Sequence, residues 1–227
     1  MDIQLHYHEN GQGFPLILLH GNGESSAYFQ NQLPAFGEYF RVIALDTRGH
    51  GGSPRGTAPF SLEQFAEDLH SFMEEMGIRR AHILGFSDGA NIALLFALRY
   101  PQMVEKLILN GGNLDPHGVK PMVQIPIVAG YGVASLLACL HKKTVALKER
   151  LGLMVKQPHI APEALSALVM PVLVVAGTKD MIKTAHTRQI AAAIPHAALR
   201  LLKGDHFIAA KSSAAFNAVV LDFLLQE

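Results

Sequence analysis

The stretch Gly85-Phe86-Ser87-Asp88-Gly89 places a serine between two glycines. The apolar run Ala81-His82-Ile83-Leu84 precedes it, and Ala90 to Tyr100 follows with apolar residues at most positions until Pro101. Strand, sharp turn and buried helix in that order make a nucleophile elbow. The turn lifts the serine hydroxyl clear of the backbone, and the small flanking residues let strand and helix approach. A hydroxyl attacks a carbonyl efficiently only when a base takes its proton, a carboxylate orients that base and donors meet the developing oxyanion.

Of the twelve histidines, position selects one. His206, in Gly204-Asp205-His206-Phe207, falls between the last predicted strand and the last helix. Asp180, in Gly177-Thr178-Lys179-Asp180, follows the strongest late strand, with Asp115 after the preceding strand as the rival carboxylate. In a parallel sheet these positions share the carboxyl edge with Ser87. The expected oxyanion donors are the backbone N–H groups of Asp88 and of Asn22 in His20-Gly21-Asn22-Gly23, with Gly23 as the second choice, because glycine-rich backbone turns without steric cost. Gly21, Gly23 and Phe86 are the expected substrate contacts. This chemistry requires neither a metal nor another cofactor.

The elements that would hold these residues are legible as alternating strands and helices. Pro15–His20, Val42–Asp46, Ala81–Phe86, Leu107–Asn110 and Val172–Gly177 are near-continuous apolar runs, the pattern of strands buried on both faces of a parallel sheet. Ile3–His8 alternates and reads as an edge strand, and Leu199–Leu202 is the last strand candidate. Helices are expected over Leu62–Met76, with Ser61 and Gln64 as a capping box, over Lys183–Ala193 and over Ser212–Leu225. The fold class is therefore α/β, a doubly wound and mostly parallel sheet of about seven strands flanked by helices. About sixty residues before Val172 lack a strand and hold two helical stretches, 122–140 and 142–154, which is too long for a simple connection. They predict a small helical cap over 115–169, inserted in a core made of 1–114 and 170–227.

Composition narrows the classes further. The 227 residues are 49% hydrophobic and 17% charged, with nineteen basic and nineteen acidic side chains. That describes a folded chain with no nucleic-acid face. Neither a signal peptide nor a membrane span is expected, since the apolar stretch from Ile125 to Leu140 is shorter than the roughly 20 residues a span needs. The expectation is a cytoplasmic protein acting on a small molecule, as a monomer or weak homodimer. Cys139, the one cysteine, reads as a small buried side chain. His6 and His8 read as solvent-exposed, and Arg48 and His50 as loop stabilisers. Asp88 offers a side chain that would either face the pocket or serve its helix N-terminus. In the cap, His141, Lys142, Lys143, Lys148 and Arg150 form a basic stretch, while Met122, Val123, Ile127, Leu136 and Leu137 either line an acyl pocket or pack the cap.

These motifs together resemble the α/β hydrolase superfamily. The matches are His20-Gly21-Asn22-Gly23, Asp46-Thr47-Arg48-Gly49-His50-Gly51-Gly52-Ser53, the elbow, Ala176-Gly177-Thr178-Lys179-Asp180 and Gly204-Asp205-His206, in family order. The elbow with Asp after Ser is similar to small bacterial carboxylesterases and valacyclovirase-like hydrolases. The resemblance implies a Ser87-Asp180-His206 triad, a structural role for His20 and hydrolysis of a small carboxylic ester through an acyl-enzyme. The same triad also serves C–C bond, thioester and lactone hydrolases and perhydrolases, and the same fold serves slow small-molecule receptors. One departure from the family is that a single strand precedes the one ending at His20.

Overall fold

A computed structural model describes residues 1–138 and 142–226, and the side chains of all of these except Lys142 and Lys143. Cys139, His141 and the end of the helix expected over 122–140 lie outside the described residues. Seven strands form one sheet: β1 (Tyr7–Asn10), β2 (Pro15–Leu19), β3 (Arg41–Leu45), β4 (Ala81–Phe86), β5 (Val104–Asn110), β6 (Val172–Gly177) and β7 (Ala197–Leu202). Their spatial order is β1-β3-β2-β4-β5-β6-β7, with only β1 antiparallel to its neighbour. Every residue of β4 and β6 is buried, as their unbroken apolar runs predict.

The order contains the feature that creates a site. The chain leaves β2 for β3 on one side, then returns to place β4 on the other side of β2. At such a reversal the loops after the two strands diverge and leave a crevice at the carboxyl edge. Here those loops are the one beginning at His20 and the elbow at Ser87. Helices α2 (Leu62–Glu75), α3 (Asp88–Arg99) and α6 (Thr184–Ala193) cover one face of the sheet. Helices α1 (Gln32–Gly37), α7 (Ile208–Lys211) and α8 (Ser213–Leu225) cover the other, where Phe36 and Phe216 are fully buried. Between β5 and β6 run α4 (Pro121–Leu137) and α5 (Lys142–Lys156), which pack against each other.

Several boundaries differ from expectation. The edge strand is Tyr7–Asn10, not Ile3–His8: only there does the antiparallel register Tyr7↔Leu45 to Asn10↔Val42 hold. Residues before it peel away as Asp2 binds Arg48, Thr57 and Ala58. Strands β5 and β7 start earlier, at Val104 and Ala197. At Ser61 only half a capping box forms, because Gln64 donates its amide to Asp68 while its N–H reaches Ser61 Oγ at 3.2 Å. Helix α1, which sequence patterning missed, is only six residues long, with Pro34 inside it.

Candidate active site

Strand β4 delivers Ser87 in a strained conformation, φ +55° and ψ −119°. A non-glycine residue holds a positive φ only when its surroundings enforce it. Two enforcements are visible. The Ser87 N–H donates to the Asn110 carbonyl of β5 at 2.8 Å. A Cβ on Gly85 would meet the Gly89 carbonyl, and a Cβ on Gly89 would meet the Leu19 carbonyl of β2. The two glycines thus let α3 start close against β2 and β4, which aims the serine over the edge.

Across the crevice, His206 Nε2 lies 3.0 Å from Ser87 Oγ, and His206 Nδ1 lies 2.7 Å from Asp180 Oδ1. Both His206 and Asp180 are buried. Asp180 also accepts from the Ile182 N–H at 2.9 Å, so its carboxylate is fixed from two sides. The loop after β6 therefore holds Asp180, the loop after β7 holds His206, and three residues distant in sequence form one hydrogen-bonded chain. The rival Asp115 is engaged elsewhere, accepting from the His117 N–H at 2.7 Å. Gly111, at φ +65°, sits where a Cβ would touch the His206 ring at 2.8 Å, so side-chain-free backbone makes room for the imidazole.

The loop after β2 is tied down by its neighbours. The Thr47 N–H donates to His20 Nε2 at 3.0 Å, and His20 Nδ1 lies 2.7 Å from the Gly21 carbonyl. Burial keeps His20 neutral, pushing its pKa down to about 4. Asp46 accepts from the N–H groups of Ser26 and Gly52, latching the loops after β2 and β3 together. Arg48 is fully buried between Asp68 and Asp2, and His50 reaches Thr47. His6 pairs with Asp46 at 2.8 Å. Among the described residues no group of three or more His, Cys, Asp or Glu is placed to hold a metal ion.

A cavity of about 210 Å³ opens over Ser87. Gly21, Asn22, Glu24, Phe86, His206, Phe207, Met181 and Met154 line it with Ser87. One expectation changes here, and two open alternatives are narrowed. Gly23 is exposed and does not line the cavity, since its φ of +75° turns it outward. The Asp88 side chain is buried, not open to the pocket; burial raises its pKa to about 6, and Asn22 and Asn91 are its polar neighbours. None of Met122, Val123, Ile127, Leu136 and Leu137 lines the cavity, and Met122 is 90% exposed. Met154 of α5 lines the cavity instead, a residue that apolar patterning of α4 could not single out. Glu24 was missed as well; it lies in a loop outside any motif.

A family model for the alpha/beta hydrolase fold matches residues 15–138, more than half of the chain. The chain belongs to this family. It is 29% identical to the "Putative carbamate hydrolase RutD" of Stutzerimonas stutzeri strain A1501, over 98% of this chain and 97% of that one. It is 29% identical to the magnesium-chelatase 30 kDa subunit of Rhodobacter capsulatus, over 92% of this chain and 86% of that one. The crystal structure of a hydrolase from Pseudomonas aeruginosa PA01 matches with a TM-score of 0.81 at 26% identity, covering 99% and 95% of the two chains. The chain is accordingly a hydrolase of the alpha/beta fold. Among its described residues no helix is long and apolar enough to cross a membrane.

Proposed function

We propose that this hydrolase cleaves a small carboxylic ester by acyl transfer through Ser87. The observation that carries this reading is the hydrogen-bonded chain from Ser87 through His206 to Asp180 at the floor of a cavity. In the first step Ser87 Oγ attacks the ester carbonyl carbon and its proton passes to His206 Nε2. Asp180 holds the Nδ1–H tautomer and stabilises the imidazolium. The N–H groups of Asn22 and Asp88 meet the oxyanion; the latter opens α3, where backbone donors lack helical partners. The C–O bond then breaks, the leaving alcohol takes the His206 proton and the acyl group stays on Ser87. Water, deprotonated by His206, releases the acid and restores the serine. No cofactor takes part.

In this reading residues 115–169 act as a cap over the core formed by 1–114 and 170–227, with Gly21 and Phe86 against the substrate. The relative named for carbamate hydrolysis supports a second reading on the same chemistry, attack of Ser87 on a carbamate carbonyl. The relative named as a chelatase subunit keeps slow turnover in a binding role as the outcome to test against. Treatment with a fluorophosphonate probe, followed by peptide mass mapping, separates enzyme from receptor. Labelling of Ser87 that vanishes in Ser87→Ala supports the proposal. Folded protein that resists the probe would point to the binding role.

A further inference from the structure

Four residues of the cavity wall, Phe86, Met154, Met181 and Phe207, are apolar, and one wall residue, Glu24, carries a carboxyl group that the proposed reaction does not use. Its Oε2 is buried without a hydrogen-bond partner among the described residues. Next to it the Tyr28 ring stacks on Phe86 at 4.3 Å, and the Tyr28 hydroxyl is likewise buried without a partner among them. An incompletely paired carboxyl group against apolar walls is unfavourable until a donor reaches it. Burial raises the Glu24 pKa to about 6, opposed by the Gly21 backbone and by His206. At neutral pH the group is therefore mostly ionised. Among the described residues, the basic side chains of Lys148 and Arg150 do not line the cavity.

Resting on the acyl-transfer reading, we infer that Glu24 is a specificity-determining residue, selecting substrates that carry a hydrogen-bond donor near the scissile carbonyl and rejecting those that carry a carboxylate. An ammonium gains both charge and hydrogen bonds from the carboxylate, a hydroxyl gains a hydrogen bond alone, and a carboxylate meets a like charge. The apolar side chains of Phe86, Met154, Met181 and Phe207 accept the remainder of the molecule. This orders substrates as ammonium over hydroxyl over methyl over carboxylate at one terminal position.

The test uses four amides identical except for a terminal ammonium, hydroxyl, methyl or carboxylate group, titrated by calorimetry against Ser87→Ala and against Ser87→Ala with Glu24→Gln. Amides and an inactive serine keep binding separate from turnover, so failure of the reaction reading would not hide this result. In Ser87→Ala the ammonium probe is expected to bind at least ten times tighter than the methyl probe, and the carboxylate probe at least ten times weaker. Adding Glu24→Gln, an isosteric change, should shrink both ratios several-fold while the hydroxyl-to-methyl ratio moves least. Ratios unchanged by Glu24→Gln, or a carboxylate probe that binds tightest, would overturn the assignment. Ratios as expected from a protein that hydrolyses no ester would leave it standing and remove the ester reading instead.

Discussion

The elbow at the end of β4 and the helix α4 are held in opposite ways. Around Ser87 both glycines are confined by neighbouring carbonyls, the serine backbone is bonded across the sheet, and every residue of β4 is buried. In α4 only Ala134 is buried, Met122 and Ile125 face solvent, and a Cβ on Gly132 would meet nothing within 4 Å. The comparison teaches a division of labour. The geometry of the proposed reaction is fixed by the close-packed sheet edge, where a shift of a few tenths of an ångström is resisted from several sides. Among the described residues of α4 and α5, Met154 alone lines the cavity, and the Arg150 carbonyl accepts from Asn22 at 2.8 Å.

Substitutions sharpen this contrast. Ser87→Ala or His206→Ala should lower kcat by roughly 10⁴-fold or more with the melting temperature little changed, measured by steady-state ester hydrolysis and thermal unfolding. Turnover near that of the parent in either variant would end the acyl-enzyme account. Asp180→Asn keeps the shape but favours the wrong imidazole tautomer, so a fall on the order of 10³- to 10⁴-fold in kcat is expected from the same assay. Gly89→Ala drives a methyl group into the Leu19 carbonyl and should cost about 3 kcal/mol, read from urea unfolding.

The two ends of β4 give a further test. At its start His82 is buried between Phe14 and Phe40, with Nδ1 unpartnered among the described residues. Burial lowers its pKa to about 4, and Lys106 and Arg80 add to the shift. The unfolded chain then binds this proton near pH 6.5 and the native state only near 4, so His82 removes stability as pH falls through that window. Titrating urea stability should show His82→Gln less acid-sensitive between pH 6.5 and 4 by up to on the order of 3 kcal/mol. A parallel pH dependence in both proteins would contradict the burial argument. The smallest effect belongs to the loose region: Gly132→Ala should leave the urea midpoint unchanged or raise stability by up to about 1 kcal/mol. A loss there comparable to that of Gly89→Ala would erase the distinction between the two regions.

What the sequence disclosed follows the same division. Strands buried on both faces leave continuous apolar runs, so β2, β4 and β6 were readable to within a residue. The positions of Ser87 and Asp180 follow from β4 and β6, while His206 sits in the loop after β7, whose end at Leu202 was also legible. Alternation in Ile3–His8 reported the buried Leu5 correctly but not the register, which β3 sets from outside the segment. Helix α1 has six residues and a proline, too little for a period to appear. The facing of single loop side chains was the least legible. Asp88 turns inward beside Asn91 and the sequence-remote Asn22, and Glu24 lines the cavity with Ser87 and His206, placements that no local pattern reports.

The central claim is that Ser87 becomes acylated, and the most direct measurement is to catch that species. An activated short-chain ester would be mixed with the protein, quenched in acid within the first turnover and mapped by peptide mass. The account predicts one acyl group on the peptide containing Ser87, absent in Ser87→Ala. Hydrolysis that continues in Ser87→Ala, with no acyl group on Ser87 in the parent protein, would contradict it.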